Sequence, residues 1–205
     1  MRINILVFDG ADEIDFVGPH EVFRRAARHK EGIEVELVSL ERQLEVTAQF
    51  GLRVRPDGVL HASPDLVVVP GGGWVAGAGH GVRQEIARGA LPKTLLSLYA
   101  SGVIVAGVCT GAMALAAAGL LDGRAAVTHH DALEDLRRTK ALVIEARVVD
   151  DGDILTCGGV TSSIDLALWL VERQWGTELA DKISRSLEYT RSRDVYISER
   201  PSPKF

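Results

Sequence analysis

The chain has 205 residues, of which 46% are hydrophobic and 25% are charged, and its formal net charge is −5. This composition predicts one α/β domain spanning residues 1–205, with a substantial core. The acidic balance without a basic cluster argues against nucleic acid or an anionic membrane as the main partner. The first residues lack a signal-peptide pattern, and no apolar run is long enough to span a bilayer. Two cysteines are too few for a disulfide framework, so we expect a cytoplasmic protein with free thiols.

Apolar runs of strand length alternate with segments of helical periodicity along the chain. The predicted strands cover residues 3–8, 33–40, 66–69, 103–108 and 125–130, and residues 143–149 and 154–157 form a hairpin. The first predicted helix has Pro19 in its first turn, and one or two helices follow over residues 82–101, with Pro92 at a break or first turn. Further helices are predicted after Gly111 and over residues 131–138, the latter with Asp131 as N-cap. The last two predicted helices cover residues 164–174 and 177–187. Residues 45–60 are expected to form a small hairpin or excursion, and residues 191–205 to lie over the surface or a partner subunit.

This alternation predicts a doubly wound, mostly parallel sheet sandwiched by helices. In such a sheet the loops after the strands at residues 3, 66 and 103 open at one edge, where ligands bind. Asp15, the glycine run from Gly71 and Cys109 should therefore share one crevice. Glycines at a strand end let backbone N–H groups approach a ligand closely.

Cys109 lies where an apolar strand runs directly into a small-residue helix, with Gly107 and Gly111 on either side. Gly-x-Cys-x-Gly in this context is the cysteine counterpart of the nucleophile elbow. The following helix N-terminus favours thiolate over thiol, and the Thr110 N–H is placed to donate to a developing negative charge. We therefore predict that Cys109 is a nucleophile rather than a small buried hydrophobe.

The chain resembles the ThiJ/PfpI superfamily, which has the class I glutamine amidotransferase-like, flavodoxin-like fold, and within it the isocyanide hydratase group. The resemblance covers nearly the whole chain. The residues that carry it are 15–23 (Asp-Phe-Val-Gly-Pro-His-Glu-Val-Phe), 70–72 (Pro-Gly-Gly), 108–111 (Val-Cys-Thr-Gly), 117–123, 128–129, 151–156, 158–168 and 187–189.

The resemblance implies that Cys109 is the nucleophile, Asp15 is its carboxylic partner and Thr110 positions the site. It also implies that the N–H groups of Gly72 and Thr110 stabilise an anion, and that the protein is a homodimer with the site near the subunit interface. Two departures bear on the substrate. Thr110 stands where the protease-like branch has histidine, which disfavours an amidase, and His130 stands where the hydratase group usually has tryptophan.

A carboxylate beside a thiolate is disfavoured, so the Asp15–Cys109 pair should share one proton. We expect Cys109 to add to the terminal carbon of an isocyanide while Asp15 supplies a proton. Water then hydrolyses the thioimidate to an N-substituted formamide. This lyase reaction on a small-molecule substrate needs neither metal nor organic cofactor.

The remaining polar candidates are assigned more ordinary roles. Asp12 and Glu13 are expected to be solvated turn residues, Glu21 a helix-dipole acid and Cys157 a structural thiol. His129 and His130 either line the crevice or supply a base, and they have no third ligand at a metal-binding spacing. Trp74 either covers the pocket or packs beside it.

Three alternatives use the same cysteine or the same pocket. One is a glyoxalase-like enzyme acting on α-oxoaldehydes, with His129 as base. Another is a small-amide hydrolase, which Thr110 disfavours. The third is a ligand- or redox-sensing domain, although the chain shows no helix-turn-helix region or basic stripe like those of regulators in this superfamily.

Overall fold

A computed structural model describes residues 1–74, 79–201 and 203. Its α-helices are Glu13–Ala27 (α1), Val82–Arg88 (α2), Ala90–Ala100 (α3), Gly111–Ala117 (α4), Leu133–Arg137 (α5), Ser162–Trp175 (α6) and Thr177–Ser186 (α7), with a 3₁₀ turn at His130–Ala132. Its strands are Arg2–Leu6 (β1), Glu34–Ser39 (β2), Val46–Thr47 (β3), Arg53–Val54 (β4), Gly58–Val59 (β5), Leu66–Val69 (β6), Ile104–Val108 (β7), Ala125–Ala126 (β8), Leu142–Val143 (β9), Val148–Asp150 (β10), Ile154–Cys157 (β11) and Val195–Ile197 (β12).

One eight-stranded sheet has the order β12-β10-β11-β7-β6-β1-β2-β5, and every pairing is parallel except that of β10 with β11. Helices α1, α6 and α7 contact one another, as do α2, α3 and α4, so the helices that pack against the sheet form two groups. The central strands β6 and β7 are buried along their whole length, which is why their sequences are continuously apolar. The predicted fold class, a doubly wound, mostly parallel sheet with flanking helices, is confirmed.

The chain order creates the crevice expected of this fold. From β1 it proceeds to β2 on one side and returns to β6 on the other, so the carboxyl ends of β1 and β6 diverge at a switch point. Strand β7 lies beside β6, and its carboxyl end leads into Cys109. The loops after β1, β6 and β7 therefore meet at this edge.

Helix α1 begins earlier than the position of Pro19 suggested. Asp12 is its N-cap, with a side-chain oxygen accepting the Ile14 N–H at 3.1 Å, and Pro19 lies inside the helix. A proline there removes the N–H that would bind the Asp15 carbonyl four residues earlier. The prediction of Asp12 as a solvated turn residue is wrong, since packing of the cap against the sheet edge buries it.

The region after α4 is more broken than its apolar pattern indicated. Only residues 125–126 of the predicted strand 125–130 are strand, and they pair with β9 in a small parallel sheet. The antiparallel hairpin is confirmed for β10 with β11. The prediction of Asp131 as an N-cap is wrong, because the His129 side chain caps a 3₁₀ turn that precedes α5.

Of three further predictions, those for residues 82–101 and 45–60 are confirmed, and the one for the tail differs in detail. The helical stretch 82–101 breaks at Gly89, whose φ is +76°, and Pro92 lies in the first turn of α3. Residues 45–60 contain the hairpin β3–β4, and β5 joins the main sheet beside β2. The tail adds β12 to the sheet edge at β10, while residues 202, 204 and 205 lie outside the described part of the chain. No helix among the described residues is both long enough and apolar enough to cross a membrane.

Candidate active site

Cys109 occupies a strained turn between β7 and α4, with a φ of +55° that few non-glycine residues adopt. A Cβ at Gly107 would lie 2.9 Å from the Cα of Ala112, and one at Gly111 would lie 2.1 Å from the carbonyl oxygen of Val69. Only glycine therefore lets the helix start directly over the strand ends. The predicted elbow is confirmed as a geometry, and each of its two glycines has a steric cause.

Hydrogen bonds on both sides of the turn hold the Cys109 backbone. Its N–H donates to the carbonyl of Gly158 at 3.2 Å, and its carbonyl accepts the Thr128 hydroxyl at 2.9 Å. These bonds offset a strain that costs on the order of 1–3 kcal/mol. The side chain is only 5% exposed, so its sulfur faces a confined space.

Asp15 lies fully buried in the first turn of α1, next to the thiol. Its Oδ2 accepts the Gly71 N–H at 2.8 Å, whereas its Oδ1 has no hydrogen-bond partner among the described residues. Burial, and then the nearby charge of Asp12, raise the pKa of this carboxyl well above its ordinary value, while hydrogen bonds from Gly71 and Cys109 partly oppose the shift. The protonated acid is therefore favoured beside the thiol.

The pKa of the Cys109 thiol is also raised, first by burial and then by the charge of Asp15. The N–H groups of Val160 and Thr110 donate toward the sulfur and lower the pKa, but less than burial raises it. The expectation that the helix N-terminus favours the thiolate is therefore outweighed. With both pKa values raised, the pair holds at least one proton near neutral pH.

The glycine loop after β6 closes the other side of the site. The Gly72 N–H donates to the Thr110 hydroxyl oxygen at 3.0 Å, so it is already engaged rather than free for an anion. At the cysteine the donors are instead Thr110 and Val160. Val160 has a φ of +42°, another left-handed conformation that is rare outside glycine. The Thr110 hydroxyl thus holds the Gly72 peptide against the elbow.

A cavity of about 180 Å³ opens above Cys109. Trp74 forms one wall, with its indole N–H donating to Asp135 at 2.8 Å and the Arg83 guanidinium 4.1 Å from its ring centroid. Both contacts fix the ring as part of the wall. The lining residues are Asp12, Gln49, Gly72, Gly73, Trp74, Cys109, Thr110, His129, Asp131 and Val160.

The two neighbouring histidines differ in their position relative to the cavity. His129 lines the cavity, and its pKa is lowered first by burial and then by His130, so its imidazole is neutral near pH 7. His130 points outward, with 77% of its side chain exposed, and does not line the cavity. The side chains of His129, His130 and Asp131 offer ligand atoms that all lie within 4.8 Å of one another.

The predicted site residues Cys109, Asp15, Thr110, Gly71, Gly72, Trp74 and His129 thus meet at one place, and His130 does not join them. Four further residues line the cavity without having been predicted as site residues from the sequence: Asp12, Gln49, Asp131 and Val160. Gln49 comes from the hairpin excursion, and its side-chain oxygen accepts the Gly73 N–H at 2.8 Å. Of these four, only Asp12 could have been recognised from the sequence, because it directly precedes the first helical residues.

Together the parallel sheet and the strained turn define an α/β protein with a cysteine at a sharp strand-to-helix elbow. The model of the DJ-1/PfpI family matches residues 1–173, and the chain belongs to that family. The resemblance that the motifs suggested is therefore confirmed.

The relatives of this chain include both an enzyme and a regulator. An isonitrile hydratase of Pseudomonas putida is 34% identical over 194 residues, which cover 92% of this chain and 78% of that protein. The HTH-type transcriptional regulator CdhR of Pseudomonas aeruginosa is 32% identical over 193 residues, which cover 92% of this chain but only 55% of the regulator. Among solved structures, a THiJ/PfpI family protein from Pseudomonas syringae matches with a TM-score of 0.82 and 27% identity, over 93% of this chain and 76% of that one.

Proposed function

We propose that the protein is an isonitrile (isocyanide) hydratase, converting R–N≡C and water into the formamide R–NH–CHO. The observation that carries the proposal is the contact between the thiol of Cys109 and the fully buried carboxyl of Asp15, in which burial favours the protonated forms. The 34% identity to an isonitrile hydratase supports the same reaction.

An isonitrile needs both a nucleophile and a proton at the same carbon atom. The Cys109 sulfur forms a bond to the terminal carbon, and that carbon receives a proton, which gives the thioimidate R–N=CH–S–Cys. Asp15 is placed to relay this proton, because its carboxyl interacts with the Cys109 thiol. Thiolate formation and proton delivery can therefore occur within one buried pair.

Water completes the reaction. Asp15, which regained the thiol proton in the first step, gives its proton to the imidate nitrogen and accepts one from the water that adds to the thioimidate carbon. Collapse of the resulting adduct breaks the C–S bond, and the thiol regains its proton. The N–H groups of Thr110 and Val160 stabilise negative charge on the departing sulfur.

The first test is formamide production from an alkyl and an aryl isonitrile. We expect turnover by the parent chain, none above background with Cys109→Ser, and a loss on the order of 10²–10⁴-fold with Asp15→Asn. Cys157→Ser is the matched control, since Cys157 is a fully buried thiol in β11 rather than a cavity residue. Formamide formation that survives Cys109→Ser would refute the proposal.

A second candidate reaction is favoured by the neutral imidazole of His129 in the cavity wall. In that case Cys109 would add to the aldehyde carbon of an α-oxoaldehyde, and His129 would move the proton on that carbon to the neighbouring carbonyl carbon, giving a thioester that water hydrolyses to a 2-hydroxy acid and the free thiol. Methylglyoxal consumption, measured in parallel and lost with His129→Gln, would favour this reaction if isonitriles are not hydrated.

We further propose that the chain forms a homodimer in the cytoplasm. Helix α1 leaves Ile14 and Val17, on either side of Asp15 in the sequence, about two-fifths exposed, and burial in a second copy would remove this apolar surface from water. A reducing compartment would keep Cys109 as the thiol. Light scattering coupled to gel filtration should give twice the chain mass, and Val17→Lys should shift it toward the monomer; a monomeric parent would refute the dimer.

A further inference from the structure

The side chains of three consecutive residues at the cavity rim, His129, His130 and Asp131, are of types that bind metal ions. His130 Nε2 lies 3.1 Å from Asp131 Oδ1, and His129 Nδ1 lies 3.6 Å from Asp131 Oδ2. Zinc bonds of about 2.0–2.2 Å to nitrogen and oxygen place neighbouring ligand atoms of a tetrahedral site about 3.3 Å apart. The two contacts are near that spacing but use different oxygens of Asp131; with one ligand atom from each residue, the three atoms lie within 4.8 Å of one another. The structure brings Asp131 to the two histidines as a third possible ligand, which their spacing in the sequence did not indicate.

Packing already orients one of the two imidazoles. A Cβ at Gly159 would lie 2.3 Å from Cδ2 and 2.9 Å from Nε2 of His129, so this edge of the ring packs directly against the glycine. The opposite edge, which carries Nδ1, is turned toward Asp131, whose N–H donates to it at 3.2 Å. A metal ion would replace this one long hydrogen bond.

The protonation states also suit a cation. His129 has a lowered pKa, so binding displaces no proton from it near neutral pH. The Asp131 carboxylate supplies one negative charge, and Asp12 interacts electrostatically with His129 from the same cavity. His130 and Asp131 are exposed, so their side chains are free to adjust by the small distances that coordination requires.

We propose that His129, His130 and Asp131 bind one divalent late transition-metal ion, of the Zn²⁺ or Cu²⁺ type, at the mouth of the active-site cavity. Two imidazoles and one carboxylate are ligands that these ions accept, and three protein ligands leave a position for water or another small ligand. His129 and Asp131 line the same cavity as Cys109, so the ion would form part of its wall. This inference does not depend on the hydratase reaction.

The test is calorimetric titration of the whole chain with Zn²⁺ in a Cys109→Ser background, which removes the accessible thiol as a competing ligand. We expect one Zn²⁺ per chain with a dissociation constant in the micromolar range or below. His130→Ala and Asp131→Asn should each weaken binding at least about tenfold, because each removes one of three ligands. Asp131→Asn keeps the backbone N–H that binds His129, so the turn should remain folded.

His61→Ala is the matched control. His61 also faces a carboxylate, with its Nε2 3.0 Å from Glu36, but the pair does not belong to a three-ligand cluster among the described residues. Zn²⁺ affinity should be unchanged in this variant. Absence of stoichiometric binding, or binding that survives both His130→Ala and Asp131→Asn, would overturn the proposal. The absorption bands of bound Co²⁺, lost in the same two variants, give an independent readout of the geometry.

Discussion

Replacing Asp15 with asparagine should make the protein more stable near neutral pH while lowering its proposed activity by about 10²–10⁴-fold. The Asp15 carboxyl is fully buried and its pKa is raised above the ordinary value of 3.8. At pH values between the ordinary pKa of the unfolded chain and the raised pKa of the folded chain, the folded state holds a proton that the unfolded state has lost. The free energy of unfolding therefore decreases as pH rises. The parent therefore loses up to about 1.4 kcal/mol per pH unit over this window.

Asparagine does not titrate, so position 15 adds no such pH dependence to the free energy of unfolding of the Asp15→Asn variant. Its side-chain oxygen can accept the Gly71 N–H, and its amide NH₂ matches the protonated position of the acid. The free energies of unfolding of the two proteins should be similar at about pH 4 and diverge as pH rises, with Asp15→Asn more stable, until the folded pKa is passed.

Urea denaturation of both proteins at several pH values from about 4 to 8 measures this difference directly. The upper pH limit avoids titration of the Cys109 thiol, whose ordinary pKa of 9.0 is raised further in the folded protein. Parallel stability curves, or a parent that remains the more stable protein near neutral pH, would show that Asp15 is ionised in the folded state. The shared-proton mechanism would then lose its basis.

Two other substitutions probe the site and the sheet edge. Gly71→Ala would place a Cβ 2.5 Å from the Thr110 hydroxyl oxygen and 2.6 Å from its nitrogen, so we expect formamide production to fall at least about 100-fold. Gly79→Ala, with no atom within 4 Å of its Cβ, should leave the rate unchanged. Asp150→Ala leaves Arg173 without the buried carboxylate it contacts at 3.0 Å, and should lower the free energy of unfolding by about 3–5 kcal/mol in urea titrations. A loss below about 1 kcal/mol would contradict that estimate.

The strands and the elbow were predictable because their causes are local. An apolar run such as residues 66–69 can be buried on both faces only in the middle of a sheet. Gly107 and Gly111 flank Cys109 within five consecutive residues, so the turn could be deduced without knowing what packs against it. The same local reasoning placed Pro19 at a helix start and was wrong, since proline is only disfavoured in a helix interior, not excluded.

Tertiary packing decided the chemistry of the site. Asp15 meets the Gly71 N–H across 56 positions of sequence, and the raised pKa values of Asp15 and Cys109 follow from burial that no short pattern records. The same packing engaged the Gly72 N–H with Thr110. The sequence alone determined that this chain would present a cysteine on a strained turn at the edge of a parallel sheet. Only the folded chain determined which groups surround the sulfur and where its proton resides, because burial and charge depend on residues far apart in the sequence.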